Sequence, residues 1–378
     1  MAGPKKSVAL SGIAVAETSI CSIEPDEGVL RYRGYDIVEL AEHSSYEEVA
    51  YLLLEGDLPS EAELESFTEQ LAGARELPPA VMTIVDGNAM DASPMETMRT
   101  AVSALSFSDP AEAAIDRDNE RRKAIALVAQ LPTIVARYER RRRGLGAVAP
   151  DPSLGHAENF LAMLRGEEPT ADEARAFEIA TILHAEHEMN ASTFTARVVA
   201  GTNADLHSAV VGAICALKGP LHGGANQAAM AMFEEFGSPE RVAEGVRSRL
   251  EAKRPLYGFG HPLYRAMDPR VPILRGLAER FADDADPDPD YLGIAAAAER
   301  EAHEQKGLWP NVDLYSGVLY HYLGIPTDLF IPLFELSRVV GQAAHVLEQH
   351  AGGKIIRPSA EYVGEPRREY PVALRGER

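Results

Sequence analysis

The sequence is short of cysteine, lysine, tryptophan and long apolar runs, and each shortage narrows what the chain can be. Its two cysteines, Cys21 and Cys215, sit in apolar surroundings with no metal-ligand spacing. They exclude a disulfide framework and are expected to be small core residues in a reducing compartment. The longest apolar run, residues 209–217, falls far below the roughly 20 residues a helix needs to cross a bilayer. The opening Met-Ala-Gly-Pro-Lys-Lys-Ser leads into no apolar signal core, so a cytoplasmic location is expected.

Positive charge is scarce as well. Lysine and arginine total 37 against 58 acidic residues, for a net charge of −21, and only seven of the 37 are lysine. A phosphate backbone would be repelled over most of such a surface, which disfavours a general nucleic-acid binder. Acidic residues with little lysine suit a salt-rich cytoplasm, where screening relieves self-repulsion. Codon bias in an ordinary acidic bacterial protein accounts for the same composition, and the sequence leaves both readings open.

What is present is an ordinary globular balance, 46% hydrophobic and 25% charged, written mainly in helices. Strand-like runs at 13–23 and 29–35 flank Glu24-Pro25-Asp26-Glu27-Gly28 and predict one N-terminal hairpin. Helix starts then recur. Ser45-Tyr46-Glu47-Glu48 and Ser60-Glu61-Ala62-Glu63 are capping-box patterns, and Thr170-Ala171-Asp172-Glu173 starts another helix. Ser93-Pro94-Met95-Glu96 places proline at the first helical position, where its missing N–H costs nothing. About fifteen to twenty helices follow from typical lengths. The longest pattern, 119–143, contains Pro132 and ends in four arginines, read as a solvated C-terminus that complements the helix dipole. Residues 283–290 read as an exposed acidic loop.

Four clusters carry residue types suited to chemistry. His184-Ala185-Glu186-His187 places two histidines three apart on one helix face, but no third metal ligand stands at motif spacing. Lys218-Gly219-Pro220-Leu221-His222-Gly223-Gly224 sets a histidine between a helix stop and a helix start, where a neutral imidazole and a developing negative charge are favoured. Gly258-Phe259-Gly260-His261, continuing to Arg265 and Asp268-Pro269-Arg270, has no preceding strand and lacks a third glycine, so it is a poor dinucleotide fingerprint. It offers a histidine and two arginines on a constrained loop, suited to a carboxylate or phosphate ligand. Pro310-Asn311-Val312-Asp313 places Asp313 at a helix start, either as an N-cap or as a general base. Arg338 and Arg357 lie further along; alone, each would read as a surface ion-pair partner.

Taken together, the clusters resemble the citrate synthase family. The stretch 258–270 is similar to its G-x-G-H…D-P-R signature, with Leu263 where valine or isoleucine is usual, a volume-conserving change. Residues 219–224 and 310–317 match two further motifs in the family's order, and the likeness runs from residue 31 to residue 359. The resemblance implies a mainly α, multi-helical fold and a homodimer of the short bacterial and archaeal type. It implies a large domain of residues 1–222 and 327–378, and an inserted small domain of residues 223–326.

The resemblance also implies an acyltransferase that condenses acetyl-CoA with oxaloacetate and hydrolyses citryl-CoA to citrate and CoA. Asp313 would take the methyl proton, His222 would donate a hydrogen bond to the thioester oxygen, and His261 would polarise the oxaloacetate carbonyl. His187, Arg270, Arg338 and Arg357 from the partner chain would hold the oxaloacetate carboxylates. Arg265, Gly258 and Gly260 resemble the CoA-binding part, with Lys253 and Lys306 as weaker phosphate contacts. No metal or organic cofactor is implied, since CoA is part of the substrate. Two competing readings are a 2-methylcitrate synthase, which takes propionyl-CoA, and a non-enzymatic α-helical interaction protein. One methylene in an apolar pocket discriminates by only about 1–3 kcal/mol, so the sequence does not separate the first of these.

Overall fold

Two successive residues with positive φ, Arg33 (51°) and Gly34 (94°), turn the chain back on itself and make the N-terminal β unit larger than the expected hairpin. In the computed structural model, which describes residues 10, 13–88, 92–282 and 289–368, strand β1 (Cys21–Glu24) pairs antiparallel with β2 (Val29–Tyr32), Cys21 facing Tyr32. The Arg33-Gly34 turn then adds β3 (Tyr35–Asp36) as a third strand. Residues 13–20, expected to be strand, lie outside the ladder. The Ser19 N–H goes to the Glu348 carboxylate (2.8 Å) and the Ile20 N–H to the Thr18 hydroxyl (3.2 Å).

Sixteen α-helices follow among the described residues. The first five are α1 (Ile37–His43), α2 (Tyr46–Glu55), α3 (Glu61–Gly73), α4 (Pro79–Asn88) and α5 (Pro94–Leu105). The capping boxes at Ser45, Ser93 and Thr170 form, each side chain taking an amide that the helix leaves free while the glutamate three residues on returns the bond. Helix α6 (Arg117–Arg142) continues through Pro132 and ends with Arg142 paired to Glu139 and Asp328. Then come α7 (His156–Arg165), α8 (Ala171–His184), α9 (Ala191–Ala200) and α10 (Leu206–Leu217).

A second group is α11 (Ala225–Phe236), α12 (Val242–Glu251), α13 (Val271–Ala282), α14 (Tyr291–Lys306) and α15 (Val312–Tyr322). Helix α15 packs on α13, α11 and α14, and α12 packs on α14. The chain closes with α16 (Phe330–Gly352), which packs on α2, α5, α6, α8, α9 and α10. A helix buried on all sides is expected to be apolar throughout, yet α16 carries Glu335, Arg338, Gln342 and His345, all within 1% of full burial. Buried polar groups of this kind are the informative exceptions.

Beyond α16 the residues 353–368 form no helix or strand and are mostly exposed, with Tyr362 and Val363 in the open. Cys21 is buried, as expected, but Cys215 is not. It falls on the outward face of α10, whose inner face packs on α9 and α16. Most of the expected 283–290 loop lies outside the described residues.

Candidate active site

The site is assembled where backbone geometry leaves little freedom. Residues 258–260 run alongside 309–311. The Gly260 N–H donates to the Trp309 carbonyl (2.8 Å), the Asn311 N–H to the Gly258 carbonyl (2.9 Å), and the Asn311 side-chain amide to the Gly260 carbonyl (2.8 Å). Gly258 has φ +81°, and a Cβ there would lie 3.0 Å from the Leu314 Cα, so glycine is needed for both conformation and space. This seam joins the loop carrying His261 to the first turn of α15, which carries Asp313. Asn311, not Asp313, is the N-cap: its side chain accepts the Asp313 N–H (3.0 Å). The Asp313 carboxyl is therefore not used up in capping.

Each histidine is held by groups that fix its proton. His261 Nδ1 accepts the N–H groups of Leu263 (3.1 Å) and Tyr264 (3.2 Å), which leaves the ring proton on Nε2. His222 follows the Lys218-Gly219-Pro220 stop. The next residue, Gly223, donates its N–H to the Leu217 carbonyl (3.0 Å), and Gly224 is the N-cap of α11. His222 Nε2 lies 3.2 Å from the Ser192 backbone nitrogen and 3.0 Å from Ser192 Oγ. A backbone N–H can only donate, so Nε2 is the acceptor and the imidazole carries its proton on Nδ1. Burial, then the nearby Arg338 charge, pushes His222 down to about 4. Burial and Arg270 do the same to His261, also to about 4. Both rings are neutral donors at neutral pH.

Asp313 has the opposite shift. Its carboxyl is enclosed by protein and pushed up to about 6 by desolvation, with Asp268 adding to the shift and Arg270 and Arg338 opposing it. A carboxylate so poised is a stronger base than one in water.

The carboxylate-binding candidates gather around these groups. The rings of His187 and His261 are 5.0 Å apart, and His187 Nε2 lies 3.1 Å from the Tyr264 hydroxyl. Burial, then Arg270, drives His187 well below its usual value. Arg270 is 2% exposed and forms a fork with Asp268 (2.9 and 2.7 Å), while Asp268 also accepts the Val312 N–H (3.3 Å). Arg338 is 1% exposed, donates Nε–H to the His184 carbonyl (2.6 Å), and lies 4.6 Å from the centre of the Phe334 ring, which itself sits 6.3 Å from the His222 ring. An arginine stacked and anchored at Nε presents its remaining N–H groups as a fixed fork for a carboxylate.

The structure thus brings His187, His222, His261, Arg270, Asp313 and Arg338 to one locus. Arg265 lies apart: its side chain pairs with Asp26 (2.7 Å), and its N–H donates to the Pro25 carbonyl (3.0 Å) in the turn before β2. Lys253 and Lys306 are exposed. Arg357 lies in the exposed C-terminal segment, lining a cleft of about 800 Å³ with Arg197, Glu348 and residues 15–19, away from the other site residues of its own chain. Sequence reasoning gave no role to Ser192, Asp268 or Tyr264. Asp268 carried a signal, since its fork with Arg270 is local. Ser192 carried none, because it meets His222 across 30 residues of chain. His184, the other half of the HxxH pattern, spends Nδ1 on the Ala180 carbonyl within α8 (2.7 Å).

The profile described as "Citrate synthase, C-terminal domain" matches residues 9–359. The chain belongs to the citrate synthase family. A citrate synthase of Haloferax volcanii is 44% identical over 361 residues, covering 94% of this chain and 95% of the relative. A 2-methylcitrate synthase of Shewanella oneidensis is 41% identical over 377 residues, covering 97% of each. Among solved structures, the citrate synthase of Pyrobaculum aerophilum aligns with a TM-score of 0.90 at 42% identity, over 97% of this chain and 95% of that one. A Thermoplasma acidophilum citrate synthase, solved as a ternary complex with carboxymethyl coenzyme A and oxaloacetate, aligns at 0.91 and 33% identity, over 97% and 98%. The mainly helical architecture is therefore the citrate synthase fold, here with a three-stranded N-terminal sheet, and the protein is an enzyme of that family.

Proposed function

We propose that the enzyme condenses acetyl-CoA with oxaloacetate and hydrolyses the resulting citryl-CoA. The observation that carries this reading is the pairing of a base poised near 6, Asp313, with two neutral histidines whose free N–H groups are fixed by their other bonds. Asp313 removes a proton from the acetyl methyl group as His222 Nδ1–H donates to the thioester oxygen, where negative charge develops. One preorganised donor of this kind contributes about 3–4 kcal/mol, and a positioned acid or base typically adds about 10²–10⁴-fold. The new carbon–carbon bond forms at the oxaloacetate carbonyl, whose oxygen takes the His261 Nε2 proton. His187, Arg270 and Arg338 hold the carboxylates. Gly258, Gly260 and Arg265 contribute to the CoA site.

The reading extends to assembly. Helices α9 and α10 carry the partly exposed Phe194, Val198 and Val211 beside exposed Cys215, an apolar strip that supports a homodimer. Arg357 on its extended arm then serves the partner's site. The mutual packing of α11–α15 supports the division into residues 223–326 and the remainder. No helix among the described residues is long and apolar enough to cross a membrane, and the cytoplasm is the proposed location.

A thiol-release assay with oxaloacetate, run with acetyl-CoA and propionyl-CoA in parallel, tests the reading. Higher kcat/KM with acetyl-CoA is expected. Preference for propionyl-CoA would make the enzyme a 2-methylcitrate synthase, and thiol release with neither would refute the condensing role.

A further inference from the structure

A continuous helix would place His184 and His187 on one face, yet α8 stops at His184, and His187 turns to meet His261 and Tyr264. Nothing local accounts for the stop. Residues 185–189 read Ala-Glu-His-Glu-Met, mostly good helix formers with neither glycine nor proline. The hydroxyl of Tyr32, on β2, lies in the break. It accepts the Glu186 N–H (3.2 Å), and its proton faces the carbonyls of Glu186 (2.9 Å) and Ile182 (3.2 Å). A bond from the Glu186 N–H to the Ile182 carbonyl is the one that would carry the α-helix a residue further. The phenol oxygen bridges those two groups, and the Ile182 carbonyl takes the Ala185 N–H instead (3.2 Å), in a tightened last turn.

We propose that Tyr32 is a positioning residue for His187: its hydroxyl intercepts the next helical bond, ends α8 at His184 and so turns His187 toward oxaloacetate.

The bonding around Glu186 supports this assignment. Both backbone groups of Glu186, the residue before His187, go to this one hydroxyl and to no other partner among the described residues. His345 holds the Glu186 carboxyl (3.0 Å), but through a flexible side chain that leaves the backbone groups to Tyr32. Neither Tyr32 nor Glu186 exposes any surface, so solvent does not stand in for the hydroxyl. Burial also pushes the phenol up, which keeps its proton in place as a donor. Removing it would leave a donor and an acceptor buried without partners, which is costly. The nearest repair is the Glu186–Ile182 helical bond, and that bond winds His187 onto α8 above His184. The same helix end supplies the carbonyls that meet Arg338 (His184, 2.6 Å) and Arg270 (Leu183, 3.4 Å), so the stop adjoins the supports of both arginines.

The proposal rests on the oxaloacetate-binding role given to His187, and calorimetry with oxaloacetate on the full-length enzyme separates the two. Tyr32→Phe keeps the buried ring and removes only the hydroxyl. It should weaken oxaloacetate binding about five- to thirtyfold, the size of leaving one buried group unpaired, with the KM for acetyl-CoA unchanged. Tyr138→Phe is the stability control, since it removes a hydroxyl on α6 that donates to the Ala92 carbonyl (2.7 Å). It should leave oxaloacetate affinity as it is, even where the melting temperature falls by as much. In a His187→Gln background, Tyr32→Phe should cost less than about twofold, because the side chain it positions is already gone. Unchanged affinity in Tyr32→Phe, or an equal loss in both backgrounds, overturns the proposal, whatever happens to the melting temperature. A wild type that binds no oxaloacetate would instead refute the condensing role.

Discussion

The Asn311 side-chain amide donates to the carbonyl of Gly260 at 2.8 Å, so the residue that caps α15 also holds the loop that presents His261. The proposed acid and the proposed base are therefore registered against each other by one side chain and two backbone bonds. The seam tolerates no Cβ at position 258. Gly258→Ala should cost about 1–3 kcal/mol of strain and displace Leu314, which follows Asp313 in the helix. The expected result is a lower melting temperature and at least a tenfold loss of kcat, read by thermal denaturation and steady-state kinetics. Wild-type kcat in this variant would mean that the seam does not set the catalytic geometry.

As the proposed base, Asp313 should govern the acid side of the pH profile. Its carboxyl, raised to about 6, accepts a proton from substrate only when ionised, so kcat/KM should fall as pH drops through about 6. His222 and His261, held near 4, stay neutral and add no limb there. Asp313→Asn should fold, bind oxaloacetate by calorimetry, and lose turnover by about 10²–10⁴-fold, leaving a residual rate without the limb near 6. A limb that persists in this variant would assign it to another group.

Arg357 offers a test of the composite site. Losing a charge-assisted partner of a buried carboxylate costs about 2–5 kcal/mol, so Arg357→Ala and Asp313→Asn homodimers should both be poorly active. A mixed dimer of the two, isolated with different tags, should recover one intact site and about half of wild-type activity per dimer. A verified mixed dimer no more active than its parents would show that Arg357 does not act in trans.

The net charge of −21 predicts a melting temperature that rises between about 0.1 M and 1 M KCl, as the Debye length falls from about 10 Å to 3 Å and like-charge repulsion is screened. A flat profile would leave codon bias as the reason for the composition.

Local signals carried most of what the sequence revealed. Helix starts were legible because a cap and its partner lie three residues apart, as at Ser45 with Glu48 and Thr170 with Glu173. The proposed reactive residues stood out because each lies in a short, chemically unusual motif. The third strand was missed because Arg33 takes a positive φ more typical of glycine or asparagine. Cys215 was misplaced because an apolar run cannot tell which face of α10 meets its neighbours. The contact of Ser192 with His222 was invisible because the two meet across 30 residues of chain.

The ion pair between Arg265 and Asp26 has a kinetic corollary. Both side chains are largely exposed, so the pair contributes little to stability. Its partner is nevertheless tethered beside it by the bond from the Arg265 N–H to the Pro25 carbonyl. In the proposed CoA site, a phosphate that took this guanidinium would meet an intramolecular competitor at high effective concentration. In that proposed site the N-terminal turn would weaken the hold on a phosphate rather than brace the fold.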